Sequence, residues 1–501
     1  MAFWEIDGLK AGTPEFFGYS DSNSNAANLA ALQAWASAEG VEKVVPPREY
    51  IASGPLTFSQ DKVRGTIGKS RITSVAGGVY TQSRIGGGSA TDILAYFPGS
   101  ITNFGLATGA ISDKTITLLT TPTAGAIVPG DILFIVDQIS SSWFGEAAGQ
   151  KNGEAVVVQS IAGPVITLMA PVKLVYASGT TVHKIKGAID VAGVDFVVHD
   201  PTLAMYGWFA EGLDRGRIDH VRSVGGYVGC GIIDRSARVE INAPIAEGFH
   251  FTTTLDYGVV IASCAHITVN GGHCFGGRHG TATGGFQIAA SIVNHDIVLR
   301  DMWIGHPDQI GSFGGADMHV DIRNSVYERC NLQSAKIGGQ DNDLIDCVFY
   351  NSANDKRALY LTRLRGGSIN IIRPRFYVLS DPNGSANSGL IDAQSSAVTE
   401  WTKGPVAVNI VDMEVRVAPG VTVGQFFMWA RNQSTTSGKP FNVRIDGVDA
   451  AGAWTRLLHY QLDAGASQPD FIQVTRVRKL AAGASAYVYQ GTVTPVKEIF
   501  D

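Results

Sequence analysis

Short apolar runs recur along the second half of the chain, and glycine or polar residues bound each of them. The runs are rich in Val and Ile, as β-strands are. The runs are "VDFVVHD" at 194, "RIDHVRSV" at 217, "RVEINAPI" at 238, "HITVNGGHCF" at 266, "HDIVLRDMWI" at 295, "SVYERCNL" at 325, "NDLIDCVFY" at 342, "GSINIIRPRF" at 367 and "VAVNIVDMEV" at 406. No helical pattern separates them, so the sequence predicts an all-β fold.

The starts of these runs lie 17 to 39 residues apart, a loose period that is typical of a solenoid. Each coil would contribute short strands that cannot bury their inner faces alone, whereas stacked coils pair their backbones and share one apolar interior. The pattern therefore predicts a right-handed parallel β-helix over residues 188–440. A β-propeller is the competing fold, but its repeated aromatic signature is not visible.

One amphipathic helix is predicted near the N-terminus, in "NAANLAALQAWASAEG". Leu29, Leu32 and Trp35 fall on one helical face, Asn25 is the expected N-cap, and Gly40 follows the end. An open solenoid end exposes unpaired strand edges and needs a cap. We therefore assign residues 21–110 to a capping helix and the first coils. Residues 1–20 are too short to form a core, and either they are an attachment segment or they pack on the end of the column.

Two stretches interrupt the repeat. Residues 111–187 contain strand-like "KTITLL", "GDILFIV", "GEAVVVQSI", "PVITLM" and "TVHKI", which predict a small inserted β domain. After residue 441 the runs "FNVRIDGV", "FIQVTRVRKL" and "AYVYQGTV" have the pattern of antiparallel strands. We expect residues 441–501 to form a C-terminal β segment that caps the column or joins subunits.

Composition narrows the function classes. The chain carries 39 Lys and Arg against 45 Asp and Glu, a net charge of −6, so no basic field favours nucleic acid. The N-terminus has no export-signal pattern, and no long apolar run predicts a membrane span. The five cysteines lack zinc spacing and are expected to be reduced core thiols. We expect neither a cofactor nor a metal.

The segment "NAANLAALQAWASAEGVEKVVPPREYIASGPLTF", followed by "GTIGKSRI" and glycine-punctuated coils, resembles the pectate-lyase-like right-handed β-helix proteins, in particular bacteriophage tailspikes and capsule depolymerases. The insertion with "VPGDILFIVD" and "KNGEAVVVQSI" is similar to a small β domain of many such phage proteins. One departure is the stretch "GYSDSNSN", where Asp21 alone is acidic instead of the usual acidic prelude.

The resemblance implies a homotrimer on the virion tail, assembled in the host cytoplasm and attached to other tail proteins through its N-terminus. It implies binding of a bacterial capsule, exopolysaccharide or O-antigen, and often its depolymerisation by glycoside hydrolysis or lyase elimination. Two alternatives stay open: a carbohydrate-binding spike without catalysis, and a structural tail component.

Polysaccharide cleavage needs paired carboxylates for hydrolysis, or a base, a carboxylate-neutralising group and a proton donor for elimination. Acidic residues cluster in three successive coils, and the segment "EGFHFTTTLD" has the length of a loop above the column. The catalytic candidates are therefore Asp219, Glu247 and Asp256. Each of them could equally be a solvated or ion-paired surface charge.

The stretch "GGHCFGGRHGTATGG" adds His273, Arg278 and His279 as further candidates. It has neither the spacing of a phosphate-binding loop nor a third ligand near its two histidines. Glycines here predict a coil corner that needs positive φ or close backbone approach. A structural role for Arg278 and His279, in hydrogen bonds between coils, is the alternative to substrate contact.

Overall fold

Nearly all of the regular secondary structure in the computed structural model is β-strand. The structure describes residues 5–6, 9–10, 12–85, 90–140, 151–199, 205–225, 229–247, 257–275, 279–284, 290–305, 317–318, 322–351, 357–364, 366–382, 389–395, 405–423, 426–433, 440–450, 454, 456–478 and 485–490. Two helices precede the repeats, a 3-10 turn over Pro14–Phe17 and α1 over Asn25–Ser37. No described helix is long and apolar enough to cross a membrane.

Up to Gly284 the strands are β1 (Glu5–Ile6), β2 (Leu9–Lys10), β3 (Lys43–Val44), β4 (Glu49–Ala52), β5 (Leu56–Thr57), β6 (Lys62–Arg64), β7 (Ser70–Ser74), β8 (Thr81–Gln82), β9 (Thr91–Pro98), β10 (Ser100–Leu106), β11 (Thr115–Thr117), β12 (Ile132–Ser140), β13 (Lys151–Ala162), β14 (Val165–Leu168), β15 (Thr181–Lys186), β16 (Ala188–Ala192), β17 (Val194–Val197), β18 (Met205–Glu211), β19 (Arg215–Asp219), β20 (Arg222–Val224), β21 (Gly229–Asp234), β22 (Val239–Asn242), β23 (Ile245–Glu247), β24 (Tyr257–Ala262), β25 (Thr268–Asn270), β26 (His273–Phe275) and β27 (His279–Gly284).

The remaining strands are β28 (Asn294–His295), β29 (Val298–Arg300), β30 (Trp303–Gly305), β31 (Asp317–Met318), β32 (Ile322–Arg323), β33 (Val326–Glu328), β34 (Asn331–Gln333), β35 (Ala335–Gly339), β36 (Asn342–Ile345), β37 (Val348–Tyr350), β38 (Leu359–Leu364), β39 (Gly367–Ile372), β40 (Arg375–Val378), β41 (Ile391–Ser395), β42 (Val406–Val417), β43 (Phe426–Asn432), β44 (Phe441–Ala450), β45 (Arg456–Leu462), β46 (Ile472–Arg478) and β47 (Ser485–Gln490).

The predicted helix is present, with a different cap. Ser24, not Asn25, is the N-cap, because its hydroxyl accepts a hydrogen bond from the Ala27 amide at 3.3 Å. Trp35 is fully buried and donates its indole N–H to the Gly12 carbonyl at 2.7 Å. Its ring meets Phe58 edge to face at 5.5 Å, so the helix covers the apolar interior of the first coils.

The chain divides into two compact units. Unit 1 contains residues 1–277 and 284–295, and unit 2 contains residues 278–283 and 296–501. A coil of unit 1 has a first, a second and a third strand, for example β19, β20 and β21. Each pairs in parallel with its counterpart in the next coil, β22, β23 and β24. This is the predicted parallel β-helix.

The inserted β domain is an antiparallel sheet in the order β10, β15, β12, β13, β14 and β11. Its first strand begins at Ser100, eleven residues before the expected start at residue 111. Alternate positions of the strands face one apolar core, which includes Leu133, Ile135, Val158 and Ile166. The period-two pattern of the sequence therefore found the sheet but not its first strand.

In unit 2 the same three-strand coil recurs, with first strands β29, β33, β36 and β39 and second strands β30, β34, β37 and β40. The expectation of antiparallel strands after residue 441 is wrong. β44 pairs in parallel with β42, β46 with β44, and β47 with β45. The C-terminal strands therefore continue the coils of this unit.

Corners between strands use left-handed backbone, as predicted for "GGHCFGG". Gly271 and Gly272 have φ of +63° and +85°, and a Cβ on Gly272 would lie 2.2 Å from the Pro244 carbonyl oxygen. Other corners place His220 or Ala243 in the same conformation. The opening of this stretch is thus a coil corner, and glycine is not required at every such position.

Four cysteines have described side chains: Cys264, Cys274, Cys330 and Cys347. All four are buried and free, as the sequence predicts, while the side chain of Cys230 lies outside the described part. Burial raises the pKa of Cys274 to about 12, so this thiol is protonated at neutral pH. The Cys274 thiol thus behaves as a small apolar core group.

Candidate functional site

The second strands of unit 1 bring charged side chains to one outer surface. Arg71 on β7 pairs with Asp195 on β17, and Asp195 with Arg222 on β20. Glu247 ends β23, and His273 begins β26 in the following coil. We call these five residues the charged row. Because side chains alternate along a strand, their neighbours point inward into the apolar interior. Those inward neighbours are Ile72, Phe196, Ser223, Ala246 and Cys274, all buried.

Glu247 lies between the Arg222 guanidinium and the His273 imidazole. The Arg222 guanidinium donates to Glu247 Oε1 from Nε at 2.6 Å and from a second nitrogen. On the other side, Glu247 Oε2 lies 3.8 Å from His273 Nε2. About a third of each of these three side chains is exposed, at 33%, 32% and 33% for Arg222, Glu247 and His273. A molecule on this surface would therefore meet all three.

Asp195 lies behind this exposed trio. Its carboxylate is 2% exposed and its Oδ2 lies 3.5 Å from Arg222 Nη1 and 3.8 Å from Arg71 Nη2. Burial raises the pKa of Asp195 and the Glu247 charge adds to the rise, while Arg222 and Arg71 oppose it. The buried carboxylate is thus positioned to hold the Arg222 guanidinium from its inner side.

The structure brings Glu247 and His273 together and places Asp219 elsewhere. Asp219 ends the first strand β19 and lies 3.0 Å from Arg217 Nη2 and 3.7 Å from His220 Nδ1. A left-handed corner at His220 then turns the chain onto the surface of the second strands. Asp219 therefore belongs to a neighbouring strand surface and is not in the charged row.

The other predicted site residues fall where little is described. Asp256 and Arg278 lie outside the described residues. His279 begins β27, but its side chain lies outside the described part. Their membership of the site stays a prediction.

A second group of charges in unit 1 is closed to solvent. Glu211 and Asp234 are fully buried on adjacent third strands, β18 and β21, and both contact Arg84 and Arg235. Arg235 Nε donates to Asp234 Oδ2 at 2.8 Å, and the Tyr96 hydroxyl donates to Glu211. Burial raises the pKa of Asp234, against the effect of the two guanidinium groups. This network ties coils together and does not meet a polymer at the surface.

Asp195, Arg71 and Arg222 are not among the site residues that the sequence predicts. Asp195 sits in the apolar run "VDFVV", where a single acid carries little information. The signal that finds it is the register of the repeats, which aligns Asp195 with Arg222 in the next coil. Among the described residues, the exposed part of the row has two side chains that could bind a metal, Glu247 and His273. A catalytic zinc site has three protein ligands.

Comparison with known structures gives the same fold. The tailspike protein gp49 from Pseudomonas phage LKA1 aligns with a TM-score of 0.81 and 20% identity, over 96% of this chain and 83% of that one. Pseudomonas phage phi297 tailspike gp61 gives 0.76 and 18%, over 95% and 81%. The gp54 tailspike of Acinetobacter baumannii bacteriophage AP22, solved with A. baumannii capsular saccharide, gives 0.73 and 18%, over 95% and 77%.

No curated protein sequence matches this chain significantly. A family model does match: the Gp49, pectin lyase-like model covers residues 224–474, which is half of the chain and contains Glu247 and His273 of the charged row. The chain belongs to the Gp49 pectin lyase-like family.

Proposed function

We propose that this protein is a phage tailspike that binds a bacterial surface polysaccharide and cleaves it at the charged row. Two lines of evidence support the proposal: membership of the Gp49 pectin lyase-like family, and a fold shared over most of the chain with three phage tailspikes, one of them solved with capsular saccharide. The observation that carries the cleavage is Glu247, a third exposed, between Arg222 and His273.

The arrangement of the row favours elimination over hydrolysis. Hydrolysis requires two carboxylates that flank the scissile bond, yet of the two carboxylates in the row Glu247 is accessible and Asp195 is buried. Elimination requires a base and a cation that faces the uronate carboxylate. His273 supplies an imidazole oriented by Glu247, and Arg222 supplies the cation.

In the proposed reaction, His273 accepts the proton from the carbon next to the uronate carboxylate. The electron pair forms a carbon–carbon double bond, and the glycosidic bond on the adjacent carbon breaks. The leaving oxygen takes a proton from water or from a neighbouring acid. Arg222 stabilises the negative charge that develops on the uronate in the transition state.

Incubation with purified capsule, exopolysaccharide and O-antigen preparations tests the function. Elimination predicts a fall in polymer size together with an ultraviolet-absorbing unsaturated product. New reducing ends without that absorbance would indicate hydrolysis and would overturn the elimination chemistry. Binding with no change in polymer size on any preparation that binds would favour a spike without catalysis.

Assembly is part of the proposal. We infer a homotrimer on the virion tail that attaches to other tail proteins through residues 1–20. Light scattering of the purified full chain should then give three times the chain mass of 53.1 kDa. A monomeric mass under the same conditions would contradict the trimer without bearing on the charged row.

A further inference from the structure

The second strands of unit 2 carry planar side chains on successive coils. Gln333 on β34 pairs with Tyr350 on β37, Tyr350 with Tyr377 on β40, and Tyr377 with Arg416 on β42. Their chain neighbours point the other way and are buried. Those inward residues are Leu332, Phe349, Phe376 and Val415. The four outward positions therefore form one continuous line on the outside of the unit.

The members of this line contact one another. The Tyr350 and Tyr377 rings stack at 5.3 Å with an interplanar angle of 17°. The Arg416 guanidinium lies 5.6 Å from the centroid of the Tyr377 ring and donates to the Tyr377 hydroxyl at 3.2 Å. Stacking of this kind holds the side chains in one conformation. Binding of a ligand would therefore cost less side-chain conformational entropy.

Trp303 on β30 is exposed beside this line, with 46% of its surface accessible. Two residues further on, Gly305 has φ of +150°, and a Cβ there would lie 2.6 Å from Gln333 Cβ and 2.8 Å from Gln333 Oε1. The glycine therefore makes room for the Gln333 side chain. The exposed indole therefore lies one coil before Gln333 and two positions to the side of the line, since Trp303 pairs with Asn331.

We propose that this aromatic surface, formed by Trp303, Gln333, Tyr350, Tyr377 and Arg416, binds a segment of the polysaccharide. The inference rests on the proposed function and adds a binding site in unit 2 to the charged row of unit 1. Sugar rings present apolar C–H faces that pack on aromatic rings, and hydroxyl groups that pair with amides, guanidinium groups and phenols. Amphipathic aromatic side chains suit such mixed surfaces.

The spacing of the surface fits a linear polymer. Neighbouring coils follow one another at the strand spacing of about 4.8 Å, so an extended chain that runs across them meets one side chain per coil. Polar groups flank the aromatic ones, with Gln333 and Arg416 at the two ends of the line. An apolar protein face would displace water from those groups, at a cost in free energy.

Titration of the polysaccharide into the full-length E247Q variant, followed by calorimetry, tests the site without cleavage. Trp303→Ala in that background should weaken binding about tenfold, the loss of one stacked aromatic contact. Tyr377→Ala should weaken it by a similar factor, and Trp303→Phe by less, since a ring is retained. Val175→Ala removes apolar surface at a residue that is 71% exposed in unit 1 and should leave affinity unchanged.

Equal affinity of the Trp303→Ala variant and its parent would overturn the site while leaving the proposed function standing. A change in the oligomer mass of the variant at unchanged affinity would also overturn it, because the surface would then contact a second copy of the chain. If neither the native chain nor the E247Q parent binds any of the polysaccharides, the proposed function fails and this inference fails with it.

Discussion

Arg222 joins an accessible carboxylate to a buried one. Its Nε lies 2.6 Å from Glu247 Oε1 on the next coil, and its Nη1 lies 3.5 Å from Asp195 Oδ2 on the preceding coil. A planar guanidinium presents five N–H donors on different edges, so it can serve both partners at once. The position of Arg222 in the exposed site therefore depends on its contact with the buried Asp195 carboxylate.

Removal of Arg222 should destabilise the fold through Asp195. Arg222→Ala leaves a buried carboxylate facing Arg71 alone, which should cost ~3 kcal/mol in the free energy of unfolding. Asp195→Asn removes the charge, so the double variant Asp195→Asn/Arg222→Ala should recover part of that loss. Urea unfolding at pH 7 measures both. Strictly additive effects of the two substitutions would contradict the coupling.

Gly231 is required where β21 passes Trp208 of the preceding coil. A Cβ on Gly231 would lie 2.0 Å from Trp208 Cε2, so Gly231→Ala must displace the indole or the backbone. We expect a loss of about 1–3 kcal/mol in the free energy of unfolding. Trp208→Leu removes the obstructing ring and should make Gly231→Ala less costly in the double variant. An unchanged cost in that background would show that the indole is not the obstacle.

His183 should make the protein sensitive to mild acid. This histidine is buried on β15, and burial, with Arg235 and Lys151 adding to the effect, lowers its pKa to about 4. The unfolded chain binds the proton near pH 6.5, so stability is lost as pH falls from about 6.5 to about 4.

The expected loss from this group is about 3 kcal/mol in the free energy of unfolding. Urea unfolding at pH 7 and pH 4 measures it, and His183→Gln should show a smaller difference between the two. Parallel pH curves for the two proteins would show that His183 does not carry the effect.

Asp446 should stabilise unit 2 until the pH falls below 4. Hydrogen bonds from Arg476 and Thr475 lower the pKa of Asp446 to about 2. A depressed carboxyl pKa stabilises the fold above the unfolded value near 3.8, and this contribution is lost as pH falls toward 2. The Arg476→Gln variant should therefore lose less stability than the native chain between pH 5 and pH 2.5. An equal loss of stability in the variant and the native chain would show that Arg476 does not lower the pKa of Asp446.

The strand repeat was predictable because burial of one face makes inward and outward residues alternate along each short strand. The direction in which the strands pair was not predictable. A run such as "FNVRIDGV" has the same alternation beside a parallel or an antiparallel neighbour, and β44 pairs in parallel with β42. Pairing direction depends on how the chain returns between strands, which the alternation does not encode.

The site was only partly predictable for a similar reason. Glu247 and His273 stand out as chemistry-bearing types, and the structure places them 3.8 Å apart. Asp219 has an equally suitable side chain, but a left-handed corner at His220 separates its strand surface from theirs. Asp195 can be recognised as a site residue only when the coils are aligned, because its partners Arg222 and Arg71 lie 27 residues later and 124 residues earlier in the chain.

The proposed cleavage at the charged row depends on His273, which Glu247 orients. A matched control exists in unit 2, where Arg300 donates to Glu328 Oε2 at 2.8 Å on the next coil, as Arg222 does to Glu247 in unit 1. The direct measurement is the initial rate of cleavage of one susceptible polysaccharide by the native chain, by E247Q and by E328Q, each checked for native thermal stability.

We expect a loss of about 100-fold or more for E247Q, because the His273 imidazole that accepts the proton loses the carboxylate that orients it, and a native rate for E328Q. A folded E247Q protein that cleaves at the native rate would contradict this role of Glu247.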